Sequence, residues 1–300
     1  MVPTLKLGLG TVEFGMEYGF PKRFSIPDPD EIKEILTLAN RNGICLLDTA
    51  PCYGESEKNL SSMMPQNHNF KIITKTPIFG SLDRRINMDE VEKAFEQSLT
   101  FFGPSFYGLL AHHAEDLFSE DGELLMKKML EFKKSGQVKK IGVSIYNSAE
   151  IDQVLERFDI DLIQIPVSIF DQRLVKKSYL EKLKKKGIEI HARSIFLQGL
   201  LFADPDRLPT DFESIGNHLR VLHSFSEEFS LSILQIAMAY VMNLNVDHVL
   251  IGVHFLHQLE EILLASNHLS QMPQEYWQFI DNIAYENEQL LNPSYWTHNA

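Results

Sequence analysis

Cysteine is nearly absent from this chain of 300 residues, which holds only Cys45 and Cys52. Two cysteines cannot build a disulfide framework, and Cys45 sits within an apolar strand pattern where small buried thiols are common. A reducing compartment fits best. Long apolar runs are missing too: Met1 to Leu7 lacks a charged start followed by a long apolar stretch, and no later run approaches a membrane span. The expectation is a cytoplasmic protein with no membrane partner. Positive charge is the third scarcity, with 28 Lys and Arg against 41 Asp and Glu and a formal net charge of -13. That balance argues against nucleic acid, whose binders concentrate cations on one face. The basic clusters Lys127-Lys128, Lys133-Lys134, Lys139-Lys140 and Lys182 to Lys186 lie on or just after helical patterns and read as solvated faces and C-terminal turns. The glycine fingerprint of a doubly wound dinucleotide fold also fails, because Gly8-Leu9-Gly10 runs into Thr11, Val12 and Glu13.

What is present is a regular alternation of apolar runs and helical patterns. With 44% hydrophobic residues the chain can bury a large core. Eight runs read as strands: Leu7 to Gly10, Ile44 to Asp48, Phe70 to Lys75, Tyr107 to His112, Lys140 to Ser144, Leu162 to Ile165, Ile188 to Ala192 and His248 to Gly252. Between them apolar residues recur at helical spacing, as at Ile32, Ile35, Leu36 and Ala39, where Gly43 marks the stop. Similar periodicity covers Val91 to Leu99, Leu124 to Phe132, Ala149 to Leu155, Leu174 to Leu183 and Ile233 to Val241. Eight such units without a composition break predict an α/β (β/α)8 TIM barrel, a single domain over residues 1–300. Two stretches exceed the repeat. Ala203 to Gly216 reads as a rim loop leading to an extra helix, and Met272 to Trp296 as a C-terminal helical extension packed on the barrel wall.

Barrels place chemistry where strands end. Asp48, Lys75 and His112 end the second, third and fourth runs, and Tyr53 follows Asp48 by five residues, so the four converge at one mouth. A carbonyl reduction needs a hydride donor, a proton donor and a group that stabilises charge on oxygen. Tyr53 would be the acid, and Lys75 held by Asp48 would favour the phenolate and ease proton transfer. His112 would hydrogen-bond the substrate oxygen. No side chain donates hydride, so a nicotinamide cofactor is required. His113 competes with its neighbour, but strand alternation turns it outward unless the strand has already ended. Neither the His112 and His113 pair nor the His254 and His257 pair gives a three-ligand set, so no metal is expected.

Gly8-Leu-Gly10-Thr11, Asp48-Thr-Ala-Pro-Cys-Tyr53-Gly, Ile73-Thr-Lys75, Leu109-Leu-Ala-His112, Gly136 to Ser144 and Gln164 together resemble the aldo-keto reductases, in that family's order and spacing. The resemblance implies an NAD(P)H-dependent reductase with the tetrad Asp48, Tyr53, Lys75 and His112. It also implies a cofactor site: Gly10, Thr11 and Asp48 at the first two strands; Ser144 and Gln164 on the nicotinamide carboxamide; Arg193, Ser194, Gln198 and Gly199 on the ring and pyrophosphate; and Gly252, Val253, His254, Gln258 and Glu261 at the adenosine end.

Three positions depart from the family pattern. Ile145 stands where Asn often follows the serine. Arg193 stands where an aromatic residue commonly stacks on the nicotinamide, although a planar guanidinium can also stack or contact pyrophosphate. The segment Ile251 to Glu261 has no Lys or Arg to meet a 2′-phosphate, leaving His254, His257, Gln258 and helix N-terminal amides. The family default is NADP(H), and NAD(H) competes with it. For the substrate, a small carbonyl compound or alcohol, Phe14 and Tyr18 join Tyr53 and His112 as candidates. The aromatic and acidic loop Glu13 to Phe20 suits a sugar-like carbonyl and equally suits loop packing; Phe170 and Trp296 are further pocket-wall candidates on position alone. The competing reading is a nicotinamide-binding barrel that regulates or assembles with another protein. An aldolase using Lys75 would not need Asp48 and Tyr53 beside it. The sequence carries no sign of oligomeric state.

Overall fold

The computed structural model describes residues 6–20, 24–80, 85–267 and 272–296; the ends of the single domain expected over 1–300 lie outside these described residues. Eight parallel strands close into a barrel in chain order. They are β1 (Leu7–Gly10), β2 (Leu46–Asp48), β3 (Lys71–Lys75), β4 (Phe106–Ala111), β5 (Val138–Ser144), β6 (Leu162–Pro166), β7 (Glu189–Arg193) and β8 (His248–Ile251). Every expected strand is present, with bounds shifted by at most two residues.

The helices are α1 (Pro29–Arg41), α2 (Ser56–Met63), α3 (Met88–Phe102), α4 (Ala114–Phe118), α5 (Gly122–Lys134), α6 (Ser148–Arg157), α7 (Arg173–Lys176), α8 (Tyr179–Lys185), α9 (Gly216–Phe229), α10 (Ile233–Asn243), α11 (Leu256–Asn267), α12 (Tyr276–Asn282) and α13 (Glu288–Leu291). The helix expected over Leu174 to Leu183 is broken in two, because Ser178 takes a left-handed φ of 57°. Such a conformation cannot continue a right-handed helix.

Two shells of apolar side chains follow from the strand alternation. Leu46, Ile73, Leu110, Leu162 and Leu250 fill the barrel interior, and Gly8 leaves them room: a Cβ there would lie 2.9 Å from Leu250 Cδ2. The opposite faces, such as Leu7 and Leu9, pack under the helices. The C-terminal extension lies against α9 and α10, with Phe279 stacked on Phe225 at 3.9 Å and Tyr276 Oη donating to Ile236 O at 2.7 Å. Ala203 to Gly216 leads through a 3-10 turn, Thr210–Ile215, into α9. Among the described residues no helix is long and apolar enough to cross a membrane.

Candidate active site

The C-terminal ends of the strands open into a cavity of about 1170 Å³ lined by Asp48, Tyr53, Lys75 and His112 together. Lys75 Nζ donates to both carboxylate oxygens of Asp48, at 2.9 and 2.8 Å, and to Thr49 O at 2.9 Å. The same ammonium lies 4.9 Å from the centre of the Tyr53 ring. The ring of His112 meets that of Tyr53 edge-on at 5.7 Å.

The loop carrying Tyr53 is held by buried hydroxyls. Ser56 Oγ lies 2.9 Å from Thr11 Oγ1 and 3.0 Å from Thr49 Oγ1, and Thr11 Oγ1 donates to Asp48 O at 2.9 Å. Gly54 takes φ +58°, and a Cβ there would come within 2.3 Å of Gly15 O, so glycine lets the two rim loops touch.

The chemistry of the phenol differs from the sequence expectation. Lys75 was expected to favour the phenolate, but burial, reinforced by Asp48, pushes the Tyr53 pKa well above the usual phenol range. The ammonium is already satisfied by three oxygen acceptors, while the desolvation of Tyr53 outweighs the opposing field of Arg193. Tyr53 is therefore protonated. His112 is neutral, because burial together with the charges of Lys75 and Arg193 holds its pKa well below the ordinary value. Its backbone N donates to Thr76 Oγ1 at 3.2 Å, and Cys52 Sγ lies 3.5 Å from its Nδ1. β4 ends at Ala111, so His113 escapes strand alternation, precedes α4 and lines the cavity as well.

Beside the tetrad, Ser144 and Gln164 are paired in the β5 and β6 register. Gln164 Nε2 donates to Asp48 Oδ1, leaving Oε1 buried without a partner among the described residues. Ile145 is fully buried, and its carbonyl accepts from Arg193. Gly10, Thr11, Ser194, Gln198 and Gly199 line the cavity too. Ser194, Leu197, Gln198 and Gly199 all have positive φ, and Phe20 N donates to Gln198 O at 2.8 Å, joining two rim loops.

At the far end Gly252, His254, Gln258 and Glu261 line the cavity. Val253 does not: its side chain is 1% exposed and belongs to the core, because alternation beyond β8 turns it under the helices. Three of the amides that could offer anion donors, those of His254, Phe255 and Leu256, are already taken. Gln258 Oε1 accepts from His254 N at 2.8 Å and Phe255 N at 3.2 Å, and Glu31 of α1 accepts from Leu256 N. A carboxylate thus occupies the positive end of α11.

Tyr18 lines the cavity, but Phe14, expected beside it, does not: it is fully buried in the core, turned inward by the 3-10 turn Val12–Phe14. Phe170 is likewise core, and Trp296 packs on Phe20 and Phe212 behind the wall. Glu13 is the residue of this loop that gains importance. Its carboxyl is buried in the cavity wall, Oε2 has no partner among the described residues, and desolvation pushes its pKa up to about 8. Sequence reading also missed Tyr146, Phe24 and Phe196 in the lining, since nothing local marks an aromatic residue as facing a ligand.

At the opposite end of the barrel Glu189, His191 and His248 form a cluster of metal-ligating type that local spacing did not disclose. Glu189 Oε1 is paired with His191 Nε2 at 2.7 Å, while Oε2 accepts from Tyr107 Oη at 2.8 Å and from Lys140. The carboxylate is thus already satisfied, beside a lysine.

The family model "Aldo/keto reductase family" matches residues 6–284. No curated protein matches the chain in sequence. Among solved structures, the aldo-keto reductase AKR11C1 from Bacillus halodurans in its holo form is similar with a TM-score of 0.72 at 18% identity, covering 95% of each chain. The glycerol dehydrogenase AKR11B4 from Gluconobacter oxydans gives 0.69 at 20% identity over 94% of each. A Gox0644 mutant in complex with NADPH gives 0.66 at 18% identity, over 94% of this chain and 90% of that one. At such identities these likenesses carry the fold alone, and the family model carries the family. The chain belongs to the aldo/keto reductase family of NAD(P)H-dependent oxidoreductases.

Proposed function

We propose that the protein interconverts an aldehyde or ketone and its alcohol, with Tyr53 as the proton donor in reduction. The observation that carries this reading is the meeting of a protonated phenol and a neutral imidazole in one cavity, beside a buried ammonium and carboxylate. A nicotinamide cofactor supplies the hydride when bound; its ring is neutral when reduced and carries one positive charge when oxidised. The residues present fit it. The unpartnered Oε1 of Gln164 is a ready acceptor for a carboxamide N–H, with Ser144 alongside. The absence of a side chain at Gly10, where the nearest atom to an added Cβ would be Ile251 O at 3.7 Å, leaves the end of β1 open. Ser194, Gln198 and Gly199 would take the phosphates, and Gly252, His254, Gln258 and Glu261 the adenosine.

In the reaction Tyr53 gives its phenolic proton to the carbonyl oxygen, and Lys75, fixed by Asp48, lies over the ring and limits the cost of the charge left behind. A neutral His112 can donate one hydrogen bond to the same oxygen and orient it. Tyr18, Glu13 and Glu17 in the wall suit a hydroxylated, sugar-like carbonyl compound. The carboxylate of Glu31 at α11, and the lack of Lys and Arg from Ile251 to Glu261, support NADH as a cofactor beside the family's NADPH.

Titration with NADPH and NADH, followed by nicotinamide fluorescence, should give saturable binding, and Tyr53→Phe should keep that binding while kcat falls by about 100-fold or more. Unchanged turnover of the best carbonyl substrate would remove Tyr53 from the role.

A further inference from the structure

One cation of the cavity wall has no carboxylate bonded to it among the described residues. Arg193, at the end of β7, is fixed from three sides: Nη2 donates to Ile145 O at 2.8 Å, Nη1 donates to Ser194 Oγ at 3.1 Å, and Cζ lies 4.3 Å from the centre of the Tyr146 ring. A carbonyl, a hydroxyl and a ring face hold a guanidinium in place without cancelling its charge. Its Nε is buried without a partner among the described residues.

The other charges near the reaction centre largely cancel. Lys75 is bonded to both oxygens of Asp48. Glu13 is mostly protonated at neutral pH, with its pKa at about 8. Glu150, which lies within the field of Arg193, already accepts from Tyr146 N at 2.7 Å and Asn147 Nδ2 at 2.9 Å, and burial raises its pKa. The field of Arg193 reaches both Tyr53 and His112, where it disfavours added positive charge.

We infer that Arg193 makes the site selective for redox state, so that it holds reduced nicotinamide cofactor more tightly than oxidised. The inference rests on the nicotinamide reading above. The two forms differ by one positive charge on the ring, and a fixed cation in a partly dry wall repels the charged form. Reduced cofactor then fills the site against an excess of the oxidised form, and oxidised cofactor leaves readily after turnover. Bound reduced cofactor becomes a somewhat weaker hydride donor in exchange.

The test is equilibrium binding without substrate. Dissociation constants for NADH, NAD+, NADPH and NADP+ are measured by nicotinamide fluorescence and by displacement, for the wild type, Arg193→Gln, Arg193→Met and Arg193→Lys. The oxidised-to-reduced ratio of Kd should fall about tenfold in the two neutral variants and stay near the wild-type value in the lysine variant. Tenfold corresponds to about 30 mV for this two-electron couple. A ratio unchanged by neutral substitution overturns the inference even where both affinities drop. If the neutral variants do not fold, a wild-type ratio of one overturns it. Failure of the wild type to bind any of the four overturns the enzyme reading and this inference with it, whereas binding with an unchanged ratio overturns this inference alone.

Discussion

Lys75 and Asp48 form a buried ion pair in which one ammonium reaches both carboxylate oxygens, with the residues 3% and 5% exposed. Removing one partner leaves the other charged and unpaired in the wall, so Asp48→Leu or Lys75→Met should each cost about 3–5 kcal/mol in urea unfolding. The double variant Asp48→Leu with Lys75→Met should cost less than either single change, although it should be inactive. A double variant whose loss equals the sum of the single losses would show that the two charges do not compensate each other.

Glu13 gives a pH dependence of defined sign. Its folded pKa is about 8 against an ordinary 4.5, so the folded state binds the proton more tightly than the unfolded chain. The stability it contributes is complete below about pH 4.5 and is lost as pH rises through 8. Glu13→Gln removes that titration, so the melting temperature of the wild type should fall relative to the variant between pH 5 and 9, by the equivalent of a few kcal/mol (~3–5). Parallel curves across that range would contradict the assignment.

Glu31 sets a charge at the start of α11 that an extra phosphate would have to face. Glu31→Gln keeps an oxygen acceptor for Leu256 N and removes the charge. NADPH affinity should rise about three- to fivefold while NADH affinity changes little. Equal changes for the two cofactors would separate Glu31 from cofactor choice.

Much of this was legible in the sequence because it depends on periodicity. Alternation fixed the strands, and strand ends placed Asp48, Lys75 and His112 on one rim, which brought Tyr53 with them. What was not legible depends on partners distant in the chain. Gln258 offers an acceptor and a donor in the sequence, but its amide oxygen is turned back on His254 N, which leaves Nε2 alone for a ligand. Glu31 meets Leu256 across 225 residues, and no local pattern announces that contact. The acidity of Tyr53 went the other way from expectation because sequence names the charged neighbours of a group and not its burial. Phe14 looked like a pocket residue because an aromatic side chain in a rim loop reads alike whether it faces inward or outward.

The seam between β1 and β8 has a consequence for how the molecule comes into being. Leu7 to Leu9 pair with Val249 to Ile251, and Lys6 Nζ reaches Leu244 O across 238 residues. Parallel pairing at such separation is slow, since loop closure is unfavourable before the contacts repay it. Glu13 and Gly252, which touch across that seam, come together only when the ring shuts. Enzymatic competence should therefore arise late and all at once on refolding, after helix content has returned, and a chain cut short before β8 would carry the complete tetrad in its sequence without an enclosed site in which to use it.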